Sequence, residues 1–135
     1  MKLSTRGRYA VTALFDLACF SDGQPITAAD ISKRQKISLT YLEQLLSKLK
    51  KHGIIKTVRG PHGGYLLVKK PSQVSIGQII EAVEGPIALA SCVKATAKCS
   101  KSSCCGTKGL WQELSAKVSK LFHETTLADL CRRAK

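Results

Sequence analysis

The chain has 135 residues, enough for one domain with a sizeable core, and no run of about 18 apolar residues that could cross a membrane. Its 22 lysines and arginines outweigh nine acids, and the resulting charge of +13 points to a polyanionic partner, the competing reading being a merely solvated basic surface. Aromatics are only 5%, too few for the stacking platforms of single-strand binders, and the opening MKLSTRGRYAV lacks a signal-peptide core, so a cytoplasmic protein without a membrane partner is expected.

The segment from Thr5 to Phe20 sets Ala10, Val11, Leu14, Leu17 and Ala18 at helical spacing, with Ser4 or Thr5 to cap it. Asp22, Gly23 and Pro25 end it. A short second helix begins at TAADISKRQ, where Thr27 and Asp30 form a capping pattern. Ser38 opens a third, SLTYLEQLLSKLKKHG, which Gly53 closes. Leu39, Leu42, Leu45, Leu46 and Leu49 form its apolar stripe, and Thr40, Tyr41, Glu43, Gln44, Ser47, Lys48 and Lys51 lie on or near the other face.

Two β-prone runs, IIKTV and YLLV, then flank a Gly-Pro-rich tip and predict a hairpin. Ser75 to Val83 reads as a helix with Ser75 and Gln78 as a capping box, stopped by Gly85-Pro86. The stretch SCVKATAKCSKSSCCGTK follows, with neither helical nor strand periodicity. Leu110, Trp111, Leu114, Val118, Leu121 and Phe122 predict a long amphipathic helix suited to dimerisation, and Thr126 caps a last short one. The order predicts a mainly α, winged helix-turn-helix fold with a small antiparallel β-hairpin wing. Its division is a DNA-binding unit over 1–86, a cysteine-rich segment over 87–109 and a dimerisation and C-terminal helical segment over 110–135.

The polar residues of the third helix suit a major groove. Gln44 carries an amide matched to adenine, Thr40 can hydrogen-bond or touch a thymine methyl, and Lys48 with its neighbours Lys50 and Lys51 suits phosphates. Glu43 accepts from cytosine but is repelled by phosphate, so it penalises wrong sequences. In the hairpin tip RGPHGGY, Arg59 stands at the head of a narrow turn suited to a minor groove. Arg6, Arg8, Lys56, Lys69 and Lys70 can broaden the phosphate contact, and His62 reads as an exposed tip residue.

Cys92, Cys99, Cys104 and Cys105 lie in a segment that has no apolar stripe to bury, so something other than a core must order it. In a reducing compartment a metal site or redox switch is more apt than a disulfide framework. There is no C-x-x-C pair and no paired histidines, so the spacing fits a cluster better than a zinc ribbon. Reactive thiols without metal are the competing reading. Cys19 and Cys131 read as packing residues, and His52 and His123 as surface or boundary residues without an obvious partner. No nucleophile–base pair, phosphate-binding glycine loop or paired carboxylates suggest an enzyme.

KLSTRGRYAVTALFDLA, ADISKRQKISLTYLEQLLSKLKKHGII, VRGPHGGYLL, IGQIIEAVEG, the cysteine stretch and GLWQEL together resemble the IscR-type winged-helix regulators, bacterial factors that bind an iron–sulfur cluster. The resemblance implies a homodimer that pairs through its long helices and reads a palindromic double-stranded operator. It places Thr40, Tyr41, Glu43, Gln44, Arg59 and Gly60 at DNA-contacting positions. It also puts the cluster ligands at Cys92, Cys99 and Cys105, with Cys104 as alternative or fourth ligand. The implied cofactor is a 2Fe–2S cluster ahead of a 4Fe–4S one.

Two departures bear on the cluster. Lys108 stands where the group usually has a histidine ligand, and protonated lysine has no lone pair to give. Arg8 stands where a related nitric-oxide-sensing branch takes a ligand from the partner, and it cannot serve either. The expected function is transcription regulation that senses iron–sulfur cluster status, directed at cluster-assembly or iron-metabolism genes. The alternative is a thiol-redox or nitric-oxide-responsive regulator.

Overall fold

A computed structural model describes residues 3–89 and 106–134 of the chain. Three helices, α1 (Thr5–Phe20), α2 (Ala28–Gln35) and α3 (Leu39–Lys51), precede a hairpin of β1 (Ile55–Val58) and β2 (Gly64–Leu67). Then come α4 (Ile76–Glu84), α5 (Lys108–Glu124) and α6 (Leu127–Arg133). This is the mainly helical, winged architecture that the sequence pattern predicts. No helix among the described residues is long and apolar enough to cross a membrane.

Side-chain caps set where the helices begin. Ser4 Oγ accepts from Gly7 N at 3.0 Å and Thr27 Oγ1 from Asp30 N at 3.1 Å, each satisfying a donor the first turn leaves unpaired. Ser75 and Gln78 form the reciprocal box, at 3.1 and 3.0 Å. Thr126 and Asp129 form a second one at the head of α6, at 3.2 and 2.9 Å. Between α2 and α3 the chain turns on Lys36, a lysine at φ 56° in the left-handed region, with Ser32 Oγ donating to Ile37 O across the turn.

The core gathers the inward stripes of every helix except α5. Leu14 and Leu17 of α1, Ile31 of α2, the four leucines Leu42, Leu45, Leu46 and Leu49 of α3, Ile79 of α4 and Leu127 of α6 are each at most 2% exposed. Leu39 departs from the predicted stripe at 42% exposure, although Ile37 before it and Leu42 after it are buried. The wing is joined to this body by a bridge between Ile26 and Tyr65, with N–H···O distances of 3.1 and 2.7 Å. Gly64 allows that approach, since a Cβ there would lie 2.5 Å from the Ile26 backbone. The C-terminal end of the chain returns to the wing base, where Leu127 N donates to Val74 O and Ile76 N to Thr125 O.

α5 is different. Ser115 is its one buried residue, while Leu110, Trp111 and Leu121 are 48%, 36% and 64% exposed. A helix with this many large apolar groups in solvent presents a face with no partner within the described part of the chain.

Candidate nucleic-acid interface and cysteine segment

The register of α3 follows from its cap. Ser38 Oγ accepts from Tyr41 N at 3.5 Å and the Ser38 carbonyl from Leu42 N at 2.8 Å, and from that start the leucines turn inward. Thr40, Glu43, Gln44, Ser47 and Lys48 are left exposed. Tyr41 is half-buried instead, its ring meeting Tyr9 of α1 edge-on with centroids 5.9 Å apart and planes at 80°. Lys48, Lys50 and Lys51 occupy the last turn, where the helix dipole favours cations. α3 thus offers hydroxyl, carboxylate and amide groups towards its start and ammonium groups at its end.

Arg59, Gly60, Pro61 and His62 form an exposed wing tip. Gly60 has φ +115°, a conformation other residues resist, and its carbonyl accepts from Gly63 N at 3.0 Å to close the turn. A Cβ on Gly63 would overlap the Val58 carbonyl, so the tip keeps its narrow profile only with glycine there. Ile55 pairs with Leu67 and Val58 with Gly64, which holds Arg59 just beyond the last rung.

Not every basic residue expected near the first helix is available. Arg6 turns to α4, with Nη1 donating to Val83 O at 3.4 Å and Nε 3.7 Å from Glu84 Oε1. Ser4 Oγ also donates to Glu84. Arg8, Lys56, Lys69 and Lys70 are exposed.

Two polar contacts have no counterpart in the sequence reading. Asp16 is fully buried and accepts from Arg34 Nε and Nη2 at 2.9 and 2.8 Å and from Gln35 Nε2 at 2.8 Å, fastening α2 to α1. That hydrogen-bonded carboxylate raises the Arg34 guanidinium above its ordinary pKa. His123, expected to lack a partner, lies 3.4 Å from Glu81 Oε2 through Nε2 while Nδ1 meets the Ser119 carbonyl at 2.8 Å. The only sequence clue to the first was a carboxylate placed between Leu14 and Leu17.

Cys92, Cys99, Cys104 and Cys105 lie outside the described residues. Their flanks are both held by α5: Leu89 N donates to Ser115 Oγ at 2.8 Å, and Thr107 leads directly into Lys108, the first residue of the helix. Those anchor points are about 10 Å apart along a helix rising 1.5 Å per residue. Lys108 itself is half-buried. Among the described residues no group of His, Cys, Asp or Glu is placed to hold a metal ion. Cys19, expected to pack, is exposed, and Cys131 is half-buried.

A family model described as Rrf2, iron-dependent transcriptional regulator, matches residues 3–133. An HTH-type transcriptional regulator of Haemophilus influenzae is 47% identical over 133 residues, covering 98% of this chain and 88% of that one. The HTH-type transcriptional regulator IscR of Vibrio atlanticus is 45% identical over 132 residues, covering 98% and 76%. Among solved structures, T. potens IscR aligns with a TM-score of 0.81 at 33% identity over 100% of this chain and 89% of its own. CymR, the global cysteine regulator of B. subtilis, aligns with a TM-score of 0.79 at 32% identity over 98% of both chains.

Proposed function

Because the chain belongs to the Rrf2 family as an IscR-type member, a DNA-binding transcription regulator and not an enzyme, we propose that it reads a palindromic operator as a homodimer and that an iron–sulfur cluster sets its grip. The observation that carries the reading head is the division of α3, whose leucines are buried while Thr40, Glu43, Gln44 and Lys48 are exposed. In this reading Thr40, Tyr41, Glu43 and Gln44 meet base edges in the major groove, and Arg59 with Gly60 enters the adjacent minor groove. Lys48 meets phosphate.

Pairing is supported by the exposed Leu110, Trp111 and Leu121 of α5, an apolar face that a second copy of the same helix would cover. Residues 1–86 act as the reading unit, 87–109 as the cluster-holding segment and 110–135 as the pairing segment, with α6 anchored back on the wing base.

Cys92, Cys99 and Cys105 would hold the cluster, with Cys104 as alternative or fourth ligand, since soft thiolates are the donors iron–sulfur clusters take. The 2Fe–2S form is preferred. Lys108 as an ammonium is no ligand. When bound, the cluster would supply a redox-labile group held by these thiolates. In sequence the cysteines fall between α4 and α5, and α4 is linked to the start of α1 through Glu84, so cluster binding would have a route to the reading unit. Cluster and DNA affinities are then reciprocally coupled.

Anaerobic isolation with iron and acid-labile sulfide analysis and a Mössbauer spectrum tests the cofactor. Both elements are expected, falling away in Cys92→Ala, Cys99→Ala and Cys105→Ala. Protein that carries neither, and takes up neither on reconstitution, contradicts the cluster.

A further inference from the structure

A cavity of about 440 Å³ opens between the C-terminal end of α3, the residues that follow β2, and α4, on a different set of residues from those assigned to DNA bases or cluster. Its volume is that of a small-molecule site. The walls carry both signs of charge. Lys69 is exposed and forms no ion pair among the described residues, so its ammonium is available. Opposite in charge is Glu81, one of only nine acids in the chain, held from α5 by His123 at 3.4 Å.

The hydrogen-bonding groups between them are partly committed, and this defines what remains. Gln78 gives its carbonyl oxygen to Ser75 N at 3.0 Å, which leaves its amide hydrogens as donors. His52 Nδ1 lies 2.9 Å from the Lys48 carbonyl, so Nδ1 is the donor there and the neutral ring keeps Nε2 as an acceptor. Ile54 and Val74 supply an apolar surface.

An ammonium from the stretch after β2, an amide donor and a carboxylate one turn apart on α4, and an imidazole acceptor after α3 match a small zwitterion. We propose that this cavity binds a free α-amino acid. Its carboxylate would meet Lys69 and Gln78, its ammonium would meet Glu81, and an aliphatic side chain would lie over Ile54 and Val74. A molecule there bridges the base of the wing and α3 to α4, and through Glu81 to α5. Binding itself does not depend on the cluster reading.

The test is isothermal titration calorimetry on the full-length protein, without DNA, using each standard amino acid as titrant and its N-acetyl amide as control. At least one amino acid is expected to bind with Kd below about 1 mM, and its N-acetyl amide at least roughly tenfold more weakly. Lys69→Met and Glu81→Gln are each expected to weaken binding by roughly tenfold or more, in protein whose circular dichroism and melting temperature match wild type. Lys69 makes no ion pair among the described residues, so its variant separates ligand contact from the structural role of Glu81. No binding by any amino acid, equal binding of the neutral control, or binding unaltered by Lys69→Met would overturn the proposal.

Discussion

The imidazole of His123 occupies the space that a side chain at Gly77 would need: a Cβ on Gly77 would lie 2.5 Å from His123 Nδ1 and 2.7 Å from two ring carbons. The ring is held by the Ser119 carbonyl on one side and Glu81 on the other. Alanine would ordinarily favour a helix over glycine by up to about 1 kcal/mol. Overpacking of about 1–3 kcal/mol opposes that gain and outweighs it, because the ring is fixed at both nitrogens. Gly77→Ala is therefore expected to destabilise the fold in urea denaturation. His123→Ala should relieve the penalty, so that the double variant is more stable than the sum of the single changes predicts.

Asp16 and Arg34 form a pair whose halves differ in burial, the carboxylate side chain at 0% exposure and the guanidinium side chain at 38%. Removing the arginine strands a buried charge with Gln35 as its remaining side-chain donor, whereas removing the charge at residue 16 lets the arginine turn to water. Arg34→Met should cost about 3 kcal/mol or more, and Asp16→Asn about 1–2 kcal/mol. Chemical denaturation of both variants measures the asymmetry. Equal costs would show that the carboxylate is not the buried partner.

On DNA, the two classes of exposed residue in α3 should behave differently. Gln44→Ala is expected to cost about 1–3 kcal/mol on the preferred duplex and to relax base preference, as loss of a base contact does. Lys48→Ala should weaken all duplexes alike and reduce the slope of log affinity against log salt by about 1. Binding isotherms across a salt series distinguish them.

The wing tip gives a further expectation. Gly63→Ala forces a methyl into the Val58 carbonyl, so the turn that presents Arg59 must open. Its DNA affinity should fall by roughly tenfold or more, to the level of Arg59→Ala, while Ile55 and the helical core keep the protein folded. Affinity near wild type would mean the wing is not engaged.

Most of this architecture could be read from local chemistry. Ser4, Thr27, Ser38, Ser75 and Thr126 each cap a helix because a side-chain oxygen at that place answers an orphan N–H, a relation contained in adjacent residues. Apolar periodicity fared less well at helix ends. α5 starts at Lys108, ahead of Leu110, since Lys108 and Gly109 carry no apolar signal, and Leu39 fits the stripe of α3 yet is exposed. What could not be read was pairing over distance. Nothing near Asp16 names Arg34, and nothing near His123 names Glu81, because those partners meet only when helices pack. Tyr41 looks like a free reading residue in the sequence, and only its contact with Tyr9 shows that its ring is held from behind. The cysteine ligands rest on residue chemistry and resemblance, as they lie outside the described residues.

The most direct measurement is the affinity of one duplex, selected from random sequence by the protein itself, for anaerobically loaded and for iron-free protein at a single salt concentration. The account predicts that the two isotherms differ by at least roughly fivefold, the lower end of ordinary coupling between two sites. Superimposable isotherms would leave a DNA-binding protein and contradict the control of its grip by the cluster.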